Sequence, residues 1–183
     1  IYTGGIILHD QEIRNCVFRG RFSEFVKECV NNIDFNSVIK RSDKNGRGNL
    51  EELVLKFFAY YEERELFKHS VKEFLNDYME KKTKSFTNES TLRDIFQQTF
   101  VTLNNALPNG IVRANRLNST PLVLFEAISI GVADILSMHQ QVDSQVLVEL
   151  LENTTLKELT TGATNSLPKL TGRINFVSQR AVI

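Results

Sequence analysis

The sequence contains few of the residues that interrupt helices or cross-link chains. It has three prolines, two cysteines and no tryptophan in 183 residues. Because proline breaks helix interiors, its scarcity leaves long stretches free to form helices. Cys16 and Cys29 are too few for a disulfide framework and lack the spacing of a metal-binding pair. We expect two buried free thiols in a reducing compartment, with one disulfide or one reactive thiol as the alternatives.

No excess of charge and no long hydrophobic run is present. Lysine plus arginine equals aspartate plus glutamate, 22 against 22, so no overall charge favours nucleic acid or a membrane. The most apolar helical segment, residues 122–136, contains Glu126 and Asp134 and is too short to span a bilayer. The first residues have neither the basic start nor the apolar stretch of a signal peptide. The sequence therefore predicts a soluble, cytoplasmic protein, and its start at Ile1, in the middle of a pattern, predicts a fragment.

Apolar residues, 13 phenylalanines among them, recur at helical spacing along most of the chain. The segments with this pattern are 22–30, 50–61, 67–78, 92–107, 122–138 and 146–151. We expect Asn49 to cap the second of them and Pro121 to lie in the first turn of the fifth. No stretch alternates with a period of two, so a strand could form only at residues 6–8. The sequence predicts an all-α, irregular domain of about six to eight helices over residues 1–159. A loop at 161–169 and a C-terminal helix at 170–182 complete the region 160–183.

Metal and catalytic motifs are absent from the sequence. Residues 43–54 resemble a calcium loop, but Arg47 and Val54 stand where an EF-hand needs an oxygen donor and a glutamate. No Gly-Lys-Ser/Thr run of a P-loop occurs, and the three histidines are scattered. Cys16 and His9 lack the third group that would orient them as a nucleophile and base. We expect no metal site, no cofactor and no catalytic residue in this chain.

The polar segment near the N-terminus is the best candidate for a functional site. With Asp10 as a helix cap, the spacing predicts an inner face of Ile13, Cys16, Val17 and Gly20. Gln11, Asn15 and Arg19 then share the exposed face, with Arg14 on its flank. Amide and guanidinium groups suit bidentate contacts to phosphate or carboxylate. The alternative is a solvated face in which Glu12 pairs with Arg19 or Arg14. In either case, Arg14→Ala should barely change the stability of the isolated chain.

Three blocks of the chain, which together span about residues 1–140, resemble a known family. The first block is GGIILHDQEIRNCVFRGRFSEFVKE, the second GRGNLEELVLKFFAYYEE, and the third RANRLNSTPLVLFEAISIGVA. The first resembles the "GG-x-x-L-x-x-QEIRN-x-x-Y-x-G-x-F" signature of domain-of-unknown-function family 262. These ParB/sulfiredoxin-like proteins include the GmrSD-type restriction systems. Two positions depart from the family pattern: Phe18 replaces a tyrosine, and Lys56 replaces an arginine.

The resemblance implies a role in nucleotide-dependent DNA restriction or phage defence. The family's Asp-Gly-x-Gln-Arg motif lies upstream of these blocks and does not occur here. The resemblance therefore implies the helical part of a longer protein, inactive alone, whose parent uses a nucleoside triphosphate and a divalent cation. Its implied partners are the parent's N-terminal half and DNA, and an oligomer is left open. The family's QEIRN element maps onto residues 11–15, where Arg14 would contact nucleotide or DNA phosphate and Gln11 and Asn15 would support it.

Clusters of basic residues indicate where DNA could bind. The candidates for nucleotide or DNA phosphate are Gln11, Glu12, Arg14, Asn15 and Arg19. Those for the DNA backbone are Arg21, Arg113, Arg116, Lys169 and Arg173. If these residues converge, they could neutralise several phosphates; if not, they are scattered solvated charges.

Two other functions compete with the restriction hypothesis. One is a stand-alone helical protein-interaction module with no nucleotide or DNA role. It predicts an exposed apolar patch and no clustering of the arginines. The other is a small intact hydrolase that uses Glu12, Arg14 or Cys16 in a pocket.

Overall fold

A computed structural model describes residues 9–41 and 47–183, and this part of the chain is all-α, as predicted. The strand expected at residues 6–8 and residues 43–46 of the calcium-like loop lie outside the described residues. No helix of the described residues is long and apolar enough to cross a membrane. The helices are α1 Asp10–Val17, α2 Arg21–Val30, α3 Ile33–Val38, α4 Arg47–Glu63, α5 Val71–Lys84, α6 Glu89–Ala106, α7 Leu122–Ser137, α8 Ser144–Leu150, α9 Thr154–Leu159 and α10 Leu167–Arg180.

The described residues form ten α-helices, more than the six to eight predicted. Helices α3 and α9 were not predicted because both are short. Each has six residues, too few to show a periodic apolar stripe. Both begin at an asparagine cap: the side chain of Asn32 accepts from the Phe35 amide at 2.8 Å, and that of Asn153 from the Leu156 amide at 3.0 Å. These caps satisfy backbone donors at the start of each helix.

Two helix starts also differ from the prediction. Helix α4 begins at Arg47, so Asn49 lies inside it rather than at its cap. Helix α10 begins at Leu167, three residues before the predicted start. The Ser166 side chain accepts from the Lys169 amide at 3.4 Å, and Pro168 lies in the first turn, where its missing N–H costs no hydrogen bond.

Helices α4 and α7 form the centre of the core. Helix α7 is covered on most faces, since every residue from Leu124 to Ile135 is buried. In α4, Leu55, Ala59 and Tyr60 are buried as well as Leu53, Val54, Phe57 and Phe58. Phenylalanine rings pack together in this core, and neighbouring rings such as Phe96 and Phe100 are 4.5 Å apart.

The C-terminal segment belongs to the same core. Helix α10 packs along α7 and buries Leu170, Ile174 and Val177. The two helices approach closely at Gly131, where a Cβ atom would lie 2.7 Å from the side chain of Val177.

The connection between α6 and α7 is held against the segment that follows α3. The Ile111 amide donates to the Val38 carbonyl at 2.8 Å, and the Thr120 amide donates to the Lys40 carbonyl at 2.8 Å. In return, the Lys40 amide donates to the Thr120 hydroxyl at 2.9 Å. Gly110 permits this approach with a positive φ of 84°, since a side chain there would meet the Val38 carbonyl at 2.7 Å. These contacts fix one wall of the cleft described below.

Candidate functional site

Helix α1 is oriented opposite to the sequence prediction. Gln11 and Arg14, expected on the exposed side, are each 2% exposed. Ile13 and Val17, expected inside, are 43% and 65% exposed. Cys16 is exposed too, so only Cys29 is a buried free thiol. The apolar-inside rule fails here because the surface that α1 covers is itself polar.

The buried side of α1 contacts the N-terminal half of α4. Arg14 Nε donates to the Gln11 side chain at 2.9 Å, and its Nη2 donates to Glu52 at 2.5 Å. The Gln11 amide donates to Asn15 at 3.0 Å, and Asn15 donates to Glu51 at 2.5 Å. Three of the five residues of the QEIRN element are therefore joined to two acids of α4. A buried polar network of this kind is stable only when its members satisfy one another.

A row of alternating charges continues from α1 through the core. Lys56 Nζ lies 3.5 Å from Glu52 and 3.6 Å from Glu126 of α7. Glu126 accepts from Arg173 of α10 at 2.8 Å, and both of these side chains are buried. We call Arg14, Glu52, Lys56, Glu126 and Arg173 the buried charge network. Each charge in it, except the two arginines at its ends, has an opposite charge on both sides. The network therefore links α1 to α4, α7 and α10.

A cleft of about 360 Å³ opens beside this network. Its walls are the segment after α3, the N-terminal half of α4 and the connection that leads into α7. Among the described residues, four cations and one acid, Glu52, line it, and we call it the basic cleft. The cations are Lys40, Arg41, Lys56 and Arg116. In a protein of zero net charge, this is a local concentration of positive charge suited to an anion.

The candidate residues outside the network differ in their exposure and in their partners. Glu12 is exposed and accepts from the His9 amide at 2.7 Å, which is a helix-capping contact. Arg21 pairs with Glu28 and Glu89 beside Arg93. Arg19 is exposed, and Lys169 is half-buried in the first turn of α10.

Two arginines predicted for the DNA backbone are buried instead. Arg113 donates to the Leu151 carbonyl and to the Thr160 hydroxyl, and burial lowers the pKa of its guanidinium. Arg173 donates to Glu126 and to the Thr164 carbonyl at 3.0 Å. Both therefore contact protein groups rather than solvent. Of the predicted DNA set, Arg116 is the residue that lines the basic cleft.

The comparisons with known proteins return no relative. No family model, curated protein or solved structure matches this chain. The family resemblance therefore rests on the sequence blocks alone. Within the described residues, no group of three or more histidine, cysteine, aspartate or glutamate side chains could hold a metal ion.

The partners of the QEIRN element were not predicted from the sequence. No pairing with this element was predicted for Glu51, Glu52 or Asn76, whose side chain accepts from Arg14 at 3.5 Å; Lys56 was noted only as a departure from the family pattern and Glu126 only as a charge in an apolar helix. A signal for them existed: α1 contains an arginine within a polar cluster, and an acidic pair lies near the start of α4. Opposite charges in such positions can meet when the helices pack.

Proposed function

We propose that the chain is the helical part of a GmrSD-like, ParB-related protein that acts in nucleotide-dependent DNA restriction or phage defence. The observation that carries the proposal is the position of the QEIRN element. Its Gln11, Arg14 and Asn15 form a buried network directly beside the basic cleft. Four cations therefore lie next to the most specific sequence block, in a cleft that this network borders.

In this proposal Arg14 is a positioning residue. Its side chain is 2% exposed and donates to Gln11, Asn76 and Glu52, so in this proposal it does not contact a phosphate itself. It neutralises Glu52 at the cleft and thereby removes a charge that would repel an anion. It also fixes Glu52 beside Lys56, so that the ammonium group is held at the cleft.

The outward face of α1 is where the parent's N-terminal half would pack. Ile13 and Val17 expose apolar side chains on one side of this helix, and burial by a neighbouring domain would remove them from water. Arg19, Arg116 and Lys169 are the candidate cations that keep surface exposure for DNA phosphates. The parent would supply the nucleotide motif and the divalent cation.

The second candidate function is the stand-alone protein-interaction module. It is favoured by the same exposed face of α1 and by the internal pairing of Arg21, Arg113 and Arg173 with protein groups. This function would not require the cleft or Arg14.

A plaque assay with the full-length natural gene distinguishes the two functions. We expect the wild type to reduce phage plating, Arg14→Lys to lose this protection, and Arg19→Lys, on the same helix but exposed, to keep it. Lysine preserves the charge at position 14 but loses the fork that holds Gln11 and Glu52 together. Full protection by a folded Arg14→Lys protein would contradict the proposal. Absence of protection in the wild type would favour the interaction module.

A further inference from the structure

The lining of the basic cleft combines charged, polar and apolar side chains. Lys56 and Arg116 bring positive charge, while Ser119, Thr120 and Asn49 bring small polar groups. The apolar part of the lining consists of Ile39, Leu53, Pro121 and Leu122. Ligand sites for small molecules typically combine an apolar surface with a few placed polar groups in volumes of roughly 300–1,000 Å³. A cleft of about 360 Å³ lies at the lower end of this range.

The ammonium group of Lys56 is held in place without being saturated. Its distances of 3.5 Å to Glu52 and 3.6 Å to Glu126 exceed those of a charge-assisted hydrogen bond, about 2.7–2.9 Å. The two acids are themselves bound closely by other cations, Glu52 by Arg14 and Glu126 by Arg173. Within the described residues, Lys56 therefore keeps N–H donors for a ligand.

Arg116 adds a second, exposed donor group at the cleft. The segment that carries Arg116 is anchored at Thr120. The Thr120 amide donates to the Lys40 carbonyl, and the Thr120 hydroxyl accepts from the Lys40 amide. A planar guanidinium suits a phosphate because it can donate two parallel hydrogen bonds to it.

We propose that the basic cleft binds a small organic phosphate monoester. Lys56 and Arg116 contact the phosphate, and the organic part lies on Leu53, Pro121 and Leu122. A volume of about 360 Å³ suits a compact ligand rather than a duplex. The site stands on the charges and shape of the cleft, and it remains if the chain has no role in restriction.

Titration calorimetry of the chain with three probes tests this site. The probes are inorganic phosphate, phenyl phosphate and the uncharged benzyl alcohol. We expect phenyl phosphate to bind about tenfold more tightly than inorganic phosphate, because its ring gains apolar contact, and benzyl alcohol to bind far more weakly than either. Raising the salt concentration should weaken phenyl phosphate binding, since its phosphate is partly exposed.

Substitutions inside and outside the cleft test whether phenyl phosphate binds there. Arg116→Ser should weaken phenyl phosphate binding about tenfold without affecting folding, because the side chain is exposed. Lys56→Met should do the same, with its fold checked by circular dichroism. Lys157→Ser, at an exposed cation of α9 outside the cleft, should leave the affinity unchanged. No saturable binding, or equal affinity in wild type and a folded Arg116→Ser protein, would overturn the proposal. Displacement of phenyl phosphate by a short DNA duplex, with the same dependence on Arg116, would instead assign the cleft to a nucleic-acid backbone.

Discussion

The guanidinium group of Arg14 lies 2.5 Å from the carboxylate of Glu52, which follows it by 38 residues. This contact joins the QEIRN helix to α4 and turns the polar side of α1 inward. Because both groups carry charge, the contact is strong only while each keeps its partner. It therefore determines how α1 is oriented, and through Glu52 it sets the charge of the basic cleft.

Arg14→Ala should lower the free energy of unfolding of the isolated chain by about 2–3 kcal/mol, contrary to the sequence-based expectation of no change. The substitution removes the donor that Gln11 and Glu52 share, and leaves Glu52 with Lys56 at 3.5 Å as its remaining cation. The cost stays below the ~3–5 kcal/mol of a fully buried pair, since Glu52 is 31% exposed. Urea denaturation measures the difference. Arg19→Ala, on the exposed side of α1, should stay within about 0.5 kcal/mol of the wild type, and equal losses in both variants would contradict the inward orientation of Arg14.

Two glycine substitutions should have opposite effects on stability. At Gly131 a Cβ atom would lie 2.7 Å from Val177, so Gly131→Ala should push α10 from α7 and cost about 1–3 kcal/mol. At Gly172 the nearest side-chain atom, in Leu159, is 3.8 Å away, so Gly172→Ala should stabilise helix α10 by about 0.5–1 kcal/mol. Thermal unfolding compares the pair. A stabilising Gly131→Ala would show that the two helices do not meet there.

Glu89 should contribute stability that disappears in acid. Hydrogen bonds from Arg21 and Arg93 lower the pKa of this carboxyl from its ordinary value of 4.5 to about 2. Because the folded state favours the charged form, the stabilisation is complete above pH 4.5 and is lost as the pH falls from there towards 2. The stability difference between wild type and Glu89→Gln should therefore shrink over this range. Glu158→Gln, an exposed glutamate on α9, serves as the control, and a difference independent of pH would contradict the pairing.

The two cysteines should react at very different rates with a thiol reagent. Cys16 is exposed on the outward face of α1, whereas burial raises the pKa of the Cys29 thiol to about 12. Since the thiolate is the reacting form, Cys16 should be modified rapidly at pH 8 and Cys29 only after unfolding. In Cys16→Ser the rapid phase should vanish. Protection of both thiols in the folded wild type would contradict this orientation of α1. It would indicate that Cys16 faces the core, as the sequence predicts.

The sequence predicts the long helices well and the short ones poorly. Helices α2, α6 and α7 are periodic over ten or more residues, so their existence follows from the apolar pattern. Helices α3 and α9 span less than two turns and are specified mainly by their asparagine caps. The early start of α10 depends on the Ser166 cap, a local feature that an apolar pattern does not contain.

The QEIRN element shows which features of a functional site can be predicted from the sequence. Residue types alone indicated that Gln11, Arg14 and Asn15 act together, and the structure does bring them together. Which side of α1 faces the core could not be predicted from α1 itself, because it depends on Glu51 and Glu52 of another helix. A prediction from the apolar pattern of one helix holds when the neighbouring surface is apolar. Here the neighbouring surface of α4 is charged.

Nucleotide hydrolysis by the purified full-length natural protein tests the proposed function most directly. We predict that the wild type hydrolyses a nucleoside triphosphate in the presence of a divalent cation. Arg14→Lys should slow turnover about 100-fold while the protein remains folded, since small displacements in a positioned site have effects of this size. Arg19→Lys should match the wild type. No hydrolysis by the wild type, or unchanged turnover in Arg14→Lys, would contradict the proposed role of this helix.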